Sequence, residues 1–299
     1  MYLITGAGGG VGSVSRRVVE LLLDGGEHVR AMVRRDDERA DQLRALGAEV
    51  IVGDLTCAAD IVDAMDGARR MFFNMSVSAD YLLATAEVCA VALERGHLDA
   101  IVNMSQMTVS QMTLTSTDES HHQRLHWLAE HVLNWSGLPV IHVRPTAFLD
   151  NPLFTILAAP TIRDRGALVL PFGSGHTSPI AADDVARVVA ALLRDPADHI
   201  GNVYELTGPE VLDIDGLADQ YARALGRPVA GEDVSYDEWL RDVLAPIGLP
   251  EHVQQHIATM ARLHREDRYN RATDDVERIT GQPAQTVERW VASNPDLFY

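Results

Sequence analysis

Tyr2-Leu3-Ile4-Thr5 leads directly into Gly6-Ala7-Gly8-Gly9-Gly10-Val11-Gly12, and a helix-like stretch follows. An apolar strand, a glycine turn and a helix in that order are what a dinucleotide pyrophosphate needs. Glycines make the tight turn and let the backbone approach phosphate, while the helix N-terminus offers unpaired N–H groups and a favourable dipole. Gly6, Gly9 and Gly12 fall three apart, and a strict G-x-G-x-x-G cannot be laid on the stretch. Strand and helix signals flank the turn on both sides, which argues against a glycine-rich linker.

Past the turn, Val11, Val14, Val18, Leu21 and Leu22 recur at helical spacing until Gly25-Gly26 supply a stop. Val29, Ala31 and Val33 alternate as a second strand. The patterning then predicts a helix over 37–46, a strand over 48–52, a helix over 58–65 and a strand over 70–74. A long helix over 82–95, a strand over 100–104, a helix over 120–135 and a strand over 140–143 complete the series, broken by Pro145. This rhythm predicts an α/β fold, a doubly wound parallel sheet of Rossmann type with helices on both faces. Beyond residue 146 prolines and glycines punctuate the chain; a helix over 183–193 and a strand over 202–206 then return, the strand placed to rejoin the sheet. The expected division is a cofactor-binding body, 1–150 with 177–206 rejoining it. A smaller, mostly C-terminal α/β lobe, 151–176 and 207–299, would bind substrate. The ligand cleft belongs between them, at the carboxyl ends of the strands.

The 299 residues suffice for a full core, and 46% apolar with 23% charged residues is ordinary for a globular protein. A net charge of −18 argues against nucleic acid as a partner, because that would need a basic face. Cys57 and Cys89 form no C-x-x-C pair and suit a reducing cytosol, so the expectation is a cytoplasmic protein. No apolar run approaches a membrane span, and the chain starts in a strand rather than a signal peptide. A homodimer is compatible with this composition.

The second strand ends in Val33-Arg34-Arg35, about 22 residues past Gly12, with no acid at its tip. An acid there would hold a ribose 2′-hydroxyl, whereas arginine grips a 2′-phosphate with two parallel hydrogen bonds. NADP(H) is therefore expected over NAD(H), with Arg34 first and Arg35 its helper. The competing reading makes both arginines solvated charges pairing with Asp36 and Asp37. Asp54 and Leu55 follow the third strand, where the adenine is touched; Asp54 alternatively caps a helix or turn. Asn74 and Met75 after the fourth strand, Met104 and Ser105 after the fifth, and Pro145 after the sixth flank the expected nicotinamide position. Met75, Met104, Met107 and Met112 would make an adaptable wall for a flat aromatic substrate, or else fill core gaps. The loop Gly173-Ser174-Gly175-His176-Thr177 reads as a mobile cover over the cleft, with His176 as a spare proton donor.

These residues resemble the NmrA-like, atypical short-chain dehydrogenase/reductase family. The resemblance rests on the three-apart glycines, the Val33-Arg34-Arg35 strand end and Gly53-Asp54-Leu55. It continues through Ser136-Gly137-Leu138-Pro139 to Arg144-Pro145, and through Ser178-Pro179-Ile180 with Asp183-Asp184-Val185-Ala186. The family includes NADPH-dependent quinone and dye reductases and cofactor-binding regulators that catalyse nothing. Ordinary short-chain dehydrogenases pair a serine with Tyr-x-x-x-Lys, and this chain lacks that pair. By position Ser105 matches the serine, His122 the tyrosine and His126 the lysine. His122 and His126 stand one helical turn apart on one face, and histidine titrates near neutrality, which suits a proton donor beside hydride delivery. A metal is not expected, since no third ligand is spaced for it.

The expected function is NADPH-dependent reduction of a quinone, dye or similar conjugated carbonyl or imine. The alternative is a non-catalytic NADP(H) sensor. An epimerase or dehydratase is disfavoured, because those chemistries lean on the missing tyrosine and lysine.

Overall fold

A computed structural model describes residues 1–9 and 13–299; the expectations placed on Gly10, Val11 and Gly12 lie outside the described residues. Seven strands form one sheet in which every neighbouring pair is parallel. They are β1 (Tyr2–Thr5), β2 (Val29–Val33), β3 (Glu49–Val52), β4 (Arg70–Phe73), β5 (Ala100–Met104), β6 (Val140–Pro145) and β8 (Val203–Leu206). Their order is β3-β2-β1-β4-β5-β6-β8, the doubly wound arrangement expected, and the returning strand does rejoin the sheet beside β6. The chain steps outward from β1 to β3, then crosses back to lay β4 on the other side of β1. That reversal opens a crevice at the carboxyl ends of β1 and β4.

Successive strand residues point to opposite faces. Tyr2 and Ile4 therefore pack under α1 (Val14–Asp24), α2 (Glu38–Ala45) and α7 (Ala182–Arg194). Leu3 and Met71 instead pack under α3 (Ala58–Met65), α4 (Tyr81–Arg95) and α5 (His121–Ser136). Both faces being covered, β1 and β5 are buried along their whole length.

A third apolar cluster lies apart from these two. It is built from α6 (Ala159–Arg165), β7 (Ala167–Leu170), α8 (Ile214–Leu225), α9 (Tyr236–Trp239), α10 (Glu251–Arg265) and α12 (Val287–Ser293). Here β7 pairs in parallel with β9 (Ala230–Asp233) as a separate two-stranded sheet, while α11 (Asp275–Thr280) packs on α7. His264 is fully buried in this cluster, stacked between Phe172 at 4.2 Å and Tyr269 at 3.8 Å between ring centres. Its Nδ1–H donates to the Met260 carbonyl at 2.7 Å.

The segment 173–177 is an anchored turn rather than a mobile cover. A Cβ on Gly175 would sit 1.8 Å from the His264 carbonyl oxygen, so α10 presses directly on this backbone. Thr177 exchanges two backbone hydrogen bonds with Leu212, and His176 is tied to Asp267 at 3.1 Å. These contacts hold His176 away from the crevice. Among the described residues no helix is long and apolar enough to cross a membrane.

Candidate functional site

The crevice predicted by the strand order is a furrow with two chambers that share Gly6, Gly9, Asn74, Met75 and Ser76. Thr5 fixes this junction. Its hydroxyl donates to the Asn74 carbonyl at 2.8 Å and accepts from the Asn74 N–H at 2.9 Å, tying the ends of β1 and β4 together. The Asn74 amide in turn reaches Ser15 Oγ at 2.9 Å, on the first turn of α1. Gly6 has φ +70°, and a Cβ there would lie 2.7 Å from the Asn74 carbonyl oxygen. Only glycine satisfies both conditions, and a bare backbone is left facing the furrow.

The outer chamber, about 280 Å³, lies beyond the ends of β2 and β3. Arg34, Arg35, Asp54 and Leu55 all line it, as does Arg39, which the sequence reading missed. Arg39 projects from α2 back over the turn, so that a Cβ on Gly9 would meet its Nη1 at 3.4 Å. The competing pairing of Arg34 and Arg35 with Asp36 and Asp37 is not the observed one. Asp37 holds Arg39 at 2.5 Å and Asp36 holds Arg44 at 2.7 Å. Arg34 instead reaches Asp54 at 3.0 Å with 70% of its side chain exposed. Asp54 closes its own turn, accepting from the Thr56 N–H at 2.9 Å and hydroxyl at 2.8 Å. Those two donors, with Arg34 beyond them, hold its carboxyl below the usual range.

The inner chamber, about 330 Å³, is walled by Met75, Met104, Met107, Phe148, Ile257 and Met260. Met112, expected in that wall, is buried elsewhere. Ser105, His122, His126 and Pro145 all line the chamber, together with Thr146 and His256. The first turn of α5 is set by a reciprocal cap, in which Ser120 Oγ accepts from the Gln123 N–H and the Gln123 side chain accepts from the Ser120 N–H. That cap aims His122 and His126 inward, where their Nε2 atoms meet at 3.0 Å. Tyr81 lies against His126, ring centres 4.2 Å apart, but spends its hydroxyl on the Met104 carbonyl at 2.9 Å.

Burial decides the charge of these rings. It pushes His126 down to about 3 and His256 down to about 4, and His122 lower still because His126 and His256 add like-charge repulsion. All three are therefore neutral at pH 7, not poised near neutrality as a free imidazole is. Two neutral rings sharing an Nε2–Nε2 contact must adopt opposite tautomers. One donates from Nε2 and leaves Nδ1 bare; the other accepts at Nε2 and carries its proton on Nδ1. Both Nδ1 atoms are buried without a partner, as are Ser105 Oγ and Thr146 Oγ1. The residues lining the chamber thus hold one N–H, one bare nitrogen and two hydroxyls that are enclosed without a protein partner. Among the described residues no group of three or more side chains is arranged to hold a metal ion.

His256, Met260 and Tyr269 come from more than 100 residues beyond α5 and were missed. A signal existed, since Val253, Ile257 and Met260 repeat at helical spacing on α10 with His256 among them. It did not say which surface that stripe would meet.

The chain is 26% identical over 292 residues to an NAD(P)H azoreductase of Xenophilus azovorans, covering 97% of each chain. It is 29% identical over 298 residues to a (4-alkanoyl-5-oxo-2,5-dihydrofuran-3-yl)methyl phosphate reductase of Streptomyces griseus, covering 100% of this chain and 99% of that one. Its fold matches the crystal structure of the NADPH-dependent quinone oxidoreductase QOR2 of Escherichia coli, solved in complex with NADPH. The TM-score is 0.83 at 22% identity, over 98% of this chain and 99% of that one. Its fold also matches that of NmrA, a negative transcriptional regulator solved in complex with NADP, with a TM-score of 0.80 at 18% identity over 97% of this chain and 94% of that one, which is the fold the resemblance implied. The family model described as NAD(P)H-binding matches residues 9–196, well over half of the chain, and the chain belongs to that NAD(P)H-binding family.

Proposed function

We propose that this chain is an NAD(P)H-dependent reductase, preferring NADPH, whose substrate is a quinone, dye or similar conjugated carbonyl or imine. The observation that carries this reading is one furrow with two unlike ends. Arg34, Arg35 and Arg39 line the outer chamber, and methionines with unpartnered polar atoms line the inner one. The reductase names of the Xenophilus and Streptomyces relatives support it. So does the bare backbone at Gly6, which leaves room for a pyrophosphate beside the N-terminus of α1. When bound, NADPH supplies the hydride. The protein's share is placement. Asn74, Met75, Met104 and Pro145 flank the junction where the nicotinamide would lie, the methionine wall holds a flat acceptor, and Ser105 with the two histidines meets its oxygen or nitrogen. Because the histidines are neutral, they act as hydrogen-bond partners to developing charge rather than as imidazolium acids. The division into a cofactor body (1–150 with 177–206) and a substrate lobe (151–176 and 207–299) belongs to the same proposal.

Purified protein is expected to oxidise NADPH with members of a small quinone and azo-dye panel. Tight NADPH binding with no turnover across that panel would replace this reading with the cofactor sensor. Replacing Arg34 or Arg39 by alanine removes a charge-assisted phosphate contact, which corresponds to about 10–100-fold weaker NADPH binding. NADH affinity should stay unchanged. A variant pair that keeps the parent's NADPH-to-NADH ratio sinks the 2′-phosphate assignment.

A further inference from the structure

The two chambers differ in charge as well as in shape. Three arginines and two aspartates line the outer one. The inner one is lined by no lysine, arginine, aspartate or glutamate, and the undescribed Gly10, Val11 and Gly12 add no charge. Its polar atoms are hydroxyls, amides and imidazoles. Four of them, Ser105 Oγ, Thr146 Oγ1 and the Nδ1 atoms of His122 and His126, are buried with nothing to bond. Ser105 and Thr146 sit just past neighbouring strands, where the Ser105 N–H bonds to the Val143 carbonyl at 2.8 Å and the Thr146 N–H to the Leu206 carbonyl at 2.9 Å. The sheet therefore fixes both hydroxyls, and the cap on α5 fixes both rings.

We propose that the inner chamber selects uncharged substrates: it receives a neutral carbonyl, imine or azo group on the Ser105, Thr146, His122 and His126 cluster and rejects analogues carrying a sulfonate, carboxylate or phosphate on the reacting ring. The inference rests on the reductase reading for its reaction but not for its binding preference. Hydroxyls and a neutral imidazole pair satisfy a carbonyl oxygen or an azo nitrogen, since between them they offer donors and a bare acceptor. An anion needs a counter-charge, and moving one into this chamber strips its water without supplying any. The histidines do not rescue it, because burial among one another already opposes their protonation. The Streptomyces relative is named for a phosphate ester. No cation of this chamber would meet such a group, so the substrate of this chain differs in charge from the one in that name.

The test uses full-length protein with two probes of one skeleton, naphthoquinone and naphthoquinone bearing a sulfonate on the quinone ring. Their dissociation constants are measured on the cofactor-free protein, and their kcat/KM values with NADPH. The sulfonate withdraws electrons and makes the quinone the better hydride acceptor, so chemistry alone favours the charged probe. The expectation is the opposite order, at least about 30-fold in favour of the neutral probe in both measurements, some 2 kcal/mol. Val253→Arg, which places a cation on the half-buried lining face of α10, is expected to shrink that ratio. Equal binding of the two probes overturns the proposal. Selective binding without turnover supports the charge preference while removing the reductase reading.

Discussion

Acidification below pH 6.5 is expected to unfold this protein before most of its carboxylates protonate. His122, His126, His256 and His264 are all held neutral by burial, with His126 and His264 pushed down to about 3 and His256 to about 4. The sign follows from proton counting. As pH falls past about 6.5 the unfolded chain takes up a proton on each ring, while the folded chain refuses it until far lower pH. Stability is therefore complete above that value and declines across the window down to the folded pKa. Each ring costs about 1.4 kcal/mol per pH unit, so at pH 5 the four together remove about 8 kcal/mol. A domain's whole stability is about 5–15 kcal/mol, so a loss of that size is enough to unfold a domain in the lower half of that range. Glu130 adds to the fall at lower pH. The Arg144 guanidinium, 2.6 Å away, and their hydrogen bonds hold its carboxyl below the usual range, so its contribution disappears only as that carboxylate is protonated. Urea titrations between pH 7.5 and 4.5 measure the slope, and His126→Phe should reduce it by about one proton. Stability that is flat from pH 7 to pH 5 would show that the cluster is hydrated rather than dry.

Gly6→Ala is the second large effect. The substitution places a Cβ 2.7 Å from the Asn74 carbonyl oxygen at φ +70°, so either the end of β4 or the turn itself must move. The left-handed backbone alone costs about 1–2 kcal/mol for a residue with a Cβ, and the backbone clash adds to it. Because Thr5 ties Asn74 to β1, the displacement passes into both chambers. NADPH affinity is expected to drop at least 100-fold, a loss of about 2.7 kcal/mol. Gly26→Ala separates the two causes, since Gly26 has φ +76° with nothing within 4 Å of the added carbon. It should lose stability modestly and bind NADPH normally. If Gly6→Ala binds as the parent does, the glycine turn is not the cofactor seat.

Much of the molecule was legible from one repeating pattern. Helix and strand alternated from Tyr2 to Pro145, and the bounds read for 58–65 and 100–104 are those of α3 and β5. Period-two and period-3.6 burial are local properties, so a single chain displays them. The parallel sheet and the position of the furrow at its carboxyl ends followed from that alternation, while the strand order came from the structure. Arg34, Arg35, Asp54, Asn74, Met104, Ser105, His122, His126 and Pro145 all line the furrow because each follows a strand's carboxyl end or faces inward from α5. Arg39 escaped notice because its role depends on α2 folding back over the turn. The segment 173–177 read as mobile from its glycines. Gly175 is glycine for the opposite reason, since α10 leaves no room for a side chain there.

The sequence by itself determined the kind of scaffold and the cofactor class, because a glycine turn between a strand and a helix is a contiguous signal that backbone geometry alone explains. The tertiary structure decided how the site behaves. Only the packing of α10 against α5 encloses the histidines, drives them neutral and adds His256 and the far methionine to the wall. Desolvation is a property of everything surrounding a group, and those surroundings come from segments more than a hundred residues apart. Seven glycine-rich residues announce a dinucleotide seat; the neighbours that fold over it set the character of the chamber beside it.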